Sequence, residues 1–401
     1  MKILSKLIAG GVIVQILVAV SVVISSRLYK PEVFGELGWY LSFASVFAIV
    51  AAMRFDYIVL SDRVCAEEKN EFFSNAIVVS IITFFLLCIG VVIANNVFHF
   101  KYNIIYLLLF CLSLSFFNLL SQYLILIKDY NKFIFYKTNQ LLLQIVMIVG
   151  FYYVFHENGL LLANILPQLL ISILFFLFIR KSLSFKLNNF IPFFYKNYRE
   201  GFKNSFLTFI QYSTPVIPVL FGGYVFDKSQ IGAYFLFSQT MAVPFSLIRR
   251  NVLILFNGEY SDAKKIKELF ESVLTARNFI IVLMSFACFL VFLVFCSSYI
   301  IMIFFGREWL EFSWLLSLLF IYYFFDALLQ PLTTLYPLWG KVNKALGFEL
   351  VRFASVAIVL PLVVFFAKLS FSSFVILFLI IMLLIYVVNF YSILKYVKRL
   401  K

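Results

Sequence analysis

The chain predicts an all-α integral membrane protein of about twelve transmembrane helices, divided six plus six, and three observations carry that expectation. Apolar segments near twenty residues long recur from end to end, and at 1.5 Å per residue roughly twenty residues cross a bilayer core about 30 Å thick. The composition is 64% hydrophobic and only 13% charged, whereas a soluble domain is nearer half apolar. The longest hydrophilic stretch, Arg180 to about Lys203, follows the sixth segment and lies at mid-chain. The expected domains are therefore a bundle over 1–179, a cytoplasmic connecting loop over 180–203 and a second bundle over 204–401.

The segments read 7–26, 33–60, 73–96, 104–127, 138–155, 160–179, 204–226, 231–256, 273–296, 313–338, 346–367 and 373–394. The first follows Lys2 and Lys6. It is longer than the roughly 7–15-residue core of a signal peptide, and Val20 to Ser26 makes a weak cleavage site, so it reads as a retained span. The second carries Arg54 about two turns from its end, with Asp56 two residues on. Polar residues recur at helical spacing in the fourth (Ser115, Asn118, Gln122), fifth (Gln140, Gln144) and sixth (Asn164, Gln168) segments. Before the seventh, Phe193 to Arg199 alternates rings with cations as an interfacial anchor does. The seventh holds Gln211, and Pro215 with Pro218 makes it the best candidate for a bent helix. The eighth holds Gln239, Pro244, Arg249 and Arg250. In the tenth, Asp326, Gln330 and Thr334 stand at i, i+4 and i+8, which on a continuous helix is one polar stripe, beside Pro331 and Pro337.

The net charge of +14 is read as topology rather than as a nucleic-acid signal. With a cytoplasmic N-terminus the outer loops hold only Arg27, Lys30, Lys101, Lys228, Arg307 and Lys368, while the inner loops and tails hold most of the rest. That asymmetry is the positive-inside pattern and places both ends in the cytoplasm. The five cysteines are an odd number without metal spacing, and His99 and His156 both fall near outer loops. There is no Gly-rich loop ending in Gly-Lys-Ser/Thr, so no nucleotide motor lies in the chain, and outer loops are too short for a catalytic domain.

Charged groups inside spans are the functional candidates, because each costs roughly 2.5–3.5 kcal/mol to insert even on the lenient scale. Arg54 reads either as a cation snorkelling to headgroups or as an anion ligand facing a cavity. Arg249 and Arg250 point about 100° apart, so both cannot face lipid comfortably. One of them converging with Arg54 would make a pocket for phosphate or pyrophosphate, which arginine grips in bidentate fashion. Asp326 reads either as a proton-accepting coupling site or as a structural hydrogen bond to a neighbouring helix. The amide stripes line a wet path for sugar hydroxyls or act as glue between helices, and glue is the default for each taken singly.

A faint repeat supports a duplication. Lys30 to Gly35 opens the second span and Asp227 to Gly232 the eighth, about half the chain apart, with Arg54 and Arg249–Arg250 at similar offsets beyond them. The stretch Arg27-Leu28-Tyr29-Lys30-Pro31-Glu32-Val33-Phe34-Gly35 leading to Met53-Arg54-Phe55-Asp56-Tyr57 resembles the opening of the Wzx-type oligosaccharide flippases. Tyr198-Arg199-Glu200, Ile231-Gly232-Ala233-Tyr234 and Pro244 to Ile248 form a second block similar to that family. Arg249-Arg250 departs from it, standing where small residues are commoner.

The resemblance implies two six-helix bundles around a central cavity that opens alternately to each side of the bacterial cytoplasmic membrane. It implies as cargo an undecaprenyl-pyrophosphate-linked oligosaccharide repeat unit for O-antigen, lipopolysaccharide or capsule. A polysaccharide polymerase and a chain-length regulator are the implied partners, and no nucleic acid is. Transport would run on a proton or sodium gradient without a cofactor. Substrate contacts then fall to Arg27, Arg54, Arg249, Arg250, Asn118, Gln122 and Gln211, and ion coupling to Asp56, Asp326 and Gln330. Two other classes stay open: a drug or metabolite exporter of similar architecture, and a membrane polymerase or acyltransferase acting on lipid-linked sugars.

Overall fold

The structure, a computed structural model, describes residues 2–55, 69–99, 101–180, 190–258, 276–339 and 341–399. Its elements are helices, with no strand among the described residues. Twelve helices of membrane length run in order through these residues: α1 Lys2–Leu28, α2 Pro31–Ala51, α3 Lys69–Phe98, α4 Ile104–Leu126, α5 Tyr130–Phe155, α6 Gly159–Ile179, α7 Phe190–Val225, α8 Lys228–Gly258, α9 Ala276–Phe304 and α10 Ser313–Leu329; then α11 over Val342–Ala367 and α12 Phe371–Arg399. Eleven of the described stretches are apolar and long enough to span, one of which, Tyr130–Ile179, contains both α5 and α6. Helices dominate because a bilayer core offers no water to satisfy peptide groups, so each segment must bond its own backbone. The side chains turned outward are correspondingly greasy: Phe85, Phe135, Phe295, Phe365 and Phe366 are all exposed.

The chain forms two compact units, residues 1–229 and 230–401. In the first, α1 packs on α5, α5 on α6, and α2 on both α4 and α7. The division falls one helix later than the 180–203 loop would place it, because α7 packs along α2. The described part of that loop, 190–203, is helix rather than loop, and it runs straight into the seventh span. Its rings explain this: Phe193 and Phe194 pack against the fully buried Phe55, while Tyr195, Lys196 and Arg199 stay exposed. At 36 residues α7 is about 54 Å long, well over a bilayer core.

The Pro31 end of α2 is tightly packed. Gly35 lies so close to the backbone at the start of α8 that a Cβ there would sit 2.1 Å from the Lys228 carbonyl oxygen. Glu36 then pairs with Lys228 across the same contact. One turn further, Trp39 stacks on Tyr102 at 4.2 Å. The Tyr102 hydroxyl and the Lys101 ammonium both donate to the Gly223 carbonyl, at 3.0 and 3.2 Å. Burial holds the Tyr102 hydroxyl protonated well above its ordinary value, so it remains a donor.

In the second unit α9 packs on α10, and α10 and α11 on α12. Prolines interrupt the α geometry here: a 3-10 segment, Gln330–Thr334, carries Pro331, and a π-helical turn, Ser355–Val359, precedes Pro361. Over Pro215 and Pro218, by contrast, α7 stays α-helical. The expected stripe of Asp326, Gln330 and Thr334 on one continuous helix is therefore broken. The α-helix ends at Leu329, and the tighter 3-10 turn rotates Thr334 out of register, its hydroxyl donating locally to the Pro331 carbonyl at 2.7 Å.

Candidate functional site

Helix α2 ends at Ala51, and the turn beyond it builds the first site. Met53 and Arg54 take φ of 42° and 52°. Left-handed backbone costs a non-glycine residue about 1–2 kcal/mol each, so the turn must be held from outside. Two contacts hold it. Thr83 on α3 donates its hydroxyl to the Ala51 carbonyl, one of the acceptors left free at a helix end. Phe55, wholly buried, plugs into Phe193 and Phe194.

The turn delivers Arg54 to a cavity of about 220 Å³ within the first unit, lined also by Ser45 of α2, by Ser115, Asn118 and Gln122 of α4, and by Tyr212 of α7. The α4 residues sit at i, i+3 and i+7 and so share one face. Ser115 Oγ is shut off from solvent and has no hydrogen-bond partner within the protein, an orphan that calls for a ligand or water. The described lining offers a guanidinium, two amides and hydroxyls, and no carboxylate. Such a set suits an anion carrying several acceptor oxygens, with the amides and Tyr212 available to neutral hydroxyls.

Three of the sequence-predicted residues, Arg54, Asn118 and Gln122, thus line one cavity. Arg27 is exposed on the last turn of α1, and Gln211 is exposed on α7, where its neighbour Tyr212 lines the cavity instead. Asp56 lies outside the described residues. The α5–α6 amides are glue: Gln140 donates to Gln144 at 2.8 Å, Gln144 to Asn164 at 2.7 Å, and Asn164 to the Leu160 carbonyl at 2.8 Å.

A second constellation is built inside the other unit. Asp326 is buried on α10 and both its oxygens are engaged. Arg249 of α8 approaches Oδ2 at 3.3 Å, and the Tyr386 hydroxyl of α12 donates to Oδ1. Arg352 of α11 shares the same hydroxyl and pairs with Glu349 one turn back at 2.6 Å, both side chains under a tenth exposed. Two arginines thus balance two carboxylates. Asn389, one turn beyond Tyr386 and 1% exposed, has neither amide atom bonded within the protein. Arg250 is exposed on α8, and Gln330 is half-buried on the 3-10 turn. No cluster of three or more His, Cys, Asp or Glu suited to a metal occurs among the described residues.

Glu349 and Arg352 are not among the sequence-predicted residues, because Arg352 counts there with the inner-loop cations. The available signal was an opposite-charge pair at i, i+3 inside an apolar run, where either charge alone would be costly to bury.

The family described as polysaccharide biosynthesis protein matches residues 24–314 of this chain. No curated protein matches. Among solved structures, the lipid II flippase MurJ in an inward closed conformation superposes with a TM-score of 0.72 at 16% identity, covering 97% of this chain and 87% of that one. A MATE protein in complex with MaD3S gives 0.54 at 15% identity, over 99% and 95%. A MATE protein in the straight conformation gives 0.53 at 14%, over 98% and 94%. These likenesses establish the fold, an all-α membrane fold.

Proposed function

The chain belongs to the polysaccharide biosynthesis protein family, and from that premise we propose that it is a flippase. It moves an undecaprenyl-pyrophosphate-linked oligosaccharide repeat unit from the inner to the outer leaflet by ion-coupled alternating access, with both termini cytoplasmic. The observation that carries the reading is Arg54 lining a cavity otherwise furnished with neutral hydrogen-bonding groups. The strained backbone that delivers the guanidinium costs about 1–2 kcal/mol per residue and is held by Thr83 and Phe55, which fixes Arg54 against the cavity. A diphosphate offers it bidentate acceptors, and Asn118, Gln122 and Tyr212 supply bonds to the first sugar. The described lining disfavours a cationic drug, since it presents a guanidinium and no carboxylate among the described residues.

Coupling falls to Asp326. Its contact with the half-exposed Arg249 is 3.3 Å, longer than the roughly 2.7–2.9 Å of a strong charge-assisted bond. A proton or sodium ion entering at Oδ2 displaces Arg249, and each charge crossing 100 mV contributes about 2.3 kcal/mol to the cycle. A polymerase and a chain-length regulator would receive the delivered units.

The test uses proteoliposomes loaded with a short-chain lipid-pyrophosphate-linked sugar, scored by its accessibility to an external glycosidase. Arg54→Ala is expected to cut the flipping rate at least 100-fold, with Arg54→Lys keeping partial activity because the charge survives without the bidentate fork. Wild-type rates in Arg54→Ala at equal protein would remove the basis of the proposal.

A further inference from the structure

Helices α11 and α12 hold between them a groove of about 470 Å³, within the size range of small-ligand sites. Two helical stripes make it: Lys344, Gly347 and Val351 at i, i+3 and i+7 on α11, and Leu384, Val388 and Ser392 at i, i+4 and i+8 on α12. Val351, Leu384 and Val388 are exposed, so its length is open to acyl chains. The α12 stripe runs about 12 Å from mid-helix towards the C-terminal end, most of one leaflet of a core about 30 Å thick.

One end of the groove is furnished for an anion. Lys344 lines it there, and the ammonium groups of Lys341 and Lys344 both lie over the Tyr396 ring, at 4.3 and 5.6 Å from its centroid. Neither lysine has a carboxylate partner among the described residues, so two like charges gather on one ring without a balancing acid. Helix α11 starts at the same place with no side-chain cap, and its first-turn amides add to the positive field. Ser392 accepts the Tyr336 hydroxyl at 3.0 Å and keeps its own proton for an occupant. Gly347 points to occupancy separately, because a Cβ added there would meet nothing within 4 Å. Glycine weakens a helix interior relative to alanine. Packing within the chain therefore gives no reason for a glycine at this position, whereas a hydrocarbon chain lying along the groove does.

We propose that the groove binds an anionic diacyl phospholipid, with its phosphate on Lys341 and Lys344 and one acyl chain along Gly347 and Val388. Lysine serves phosphate as a point charge, and basic pockets between membrane helices on the cytoplasmic side take anionic headgroups. The lysine end is the inner one in the proposed topology. The exposed side of the groove lets the second acyl chain remain in the bilayer. The site shares no residue with the cavity proposed for the cargo. A lipid seated there clamps α11 to α12, the helices that carry Glu349, Arg352 and Tyr386.

The probe is phosphatidylglycerol carrying a diazirine midway along one acyl chain, photolysed with the full-length protein in phosphatidylcholine nanodiscs and mapped by mass spectrometry. Labelling is expected on peptides containing 344–351 and 384–392, at least about tenfold above that from phosphatidylcholine bearing the same chain, and suppressed by unlabelled phosphatidylglycerol. Lys341→Gln combined with Lys344→Gln is expected to lower that headgroup preference about tenfold. Gly347→Leu, which fills the groove, is expected to cut labelling of both peptides about tenfold, and Gly347→Ala, which fills less and favours the helix, about threefold. Equal labelling by the two headgroups, a preference unchanged in the double lysine variant, or labelling unchanged in both Gly347 variants would overturn the proposal. Suppression by inorganic phosphate, or by C15 isoprenyl diphosphate more strongly than by phosphatidylglycerol, would overturn it too, by giving the site to a different occupant. The readout involves no transport, so its failure is distinguishable from failure of the flippase reading.

Discussion

Asp326 lies inside an apolar helix and Arg54 on the turn just beyond one, and the two units treat these charges in opposite ways. Asp326 sits in a charge-balanced cluster: two carboxylates, two arginines and a tyrosine hydroxyl tie α8, α10, α11 and α12 together. Arg54 instead lines a polar cavity, near an unbonded Ser115 hydroxyl, on backbone that is unfavourable by itself. A buried charge enclosed by protein groups of opposite sign reports on architecture and conformational choice. One that lines a polar cavity is placed where a ligand could reach it. The difference teaches that the cost of burying a charge does not identify its role; the inventory of what faces it does.

The sharpest way to break this comparison is to unbalance the charge-balanced cluster. Removing one member of a buried pair leaves the other charged and unpartnered, a loss of about 3–5 kcal/mol. Arg352→Leu should therefore lower the detergent-solubilised unfolding midpoint by roughly 10 °C, at about 2–4 °C per kcal/mol for a unit of this size. The double variant Glu349→Leu with Arg352→Leu should recover most of the loss, because apolar replacement of a whole buried pair is often neutral. A double variant as unstable as the single would mean that the pair is not the source of the effect. Fluorescence-detected size-exclusion after graded heating reads both.

A smaller effect is expected at Asp326→Asn. The amide keeps the shape and can still accept from Tyr386, but it gives up the charge opposite Arg249, a loss of about 1–3 kcal/mol. Under the coupling proposal its larger consequence is functional: flipping should no longer respond to an imposed proton or sodium gradient, while a gradient-independent basal rate persists. A variant that still accelerates with the gradient would place coupling elsewhere.

The sequence shows one of these regions better than the other, for physical reasons. The membrane helices are legible because apolar length is dictated by the bilayer, and Ser115, Asn118 and Gln122 are legible as one face because the α-helical period is regular. Asp326 stands out as an acid in a greasy run, but its tie to Tyr386, sixty positions on, is made by helix packing that no local pattern encodes. Arg352 passes for a loop cation until Glu349 is seen beneath it. The helical continuation through 190–203 is hidden by its polar residues, since only the Phe193–Phe194 face is packed. Least legible is the turn at Met53 and Arg54, which contains no glycine to announce a left-handed backbone.

That turn offers the finest distinction, measured by Arg54→Gly against Arg54→Ala. Both remove the guanidinium and whatever it binds, so both should abolish flipping. They differ only in backbone. In a regular helix glycine is the worse residue by about 0.5–1 kcal/mol, because it loses more freedom on folding. At a φ of 52° the order reverses: alanine bears the left-handed penalty of about 1–2 kcal/mol and glycine does not. Arg54→Gly should accordingly unfold a few degrees above Arg54→Ala, a difference opposite in sign to the helical rule. If alanine proves the more stable, α2 continues as ordinary helix through Arg54, and the side chain that is separated from Met53 by the turn would no longer be aimed by it.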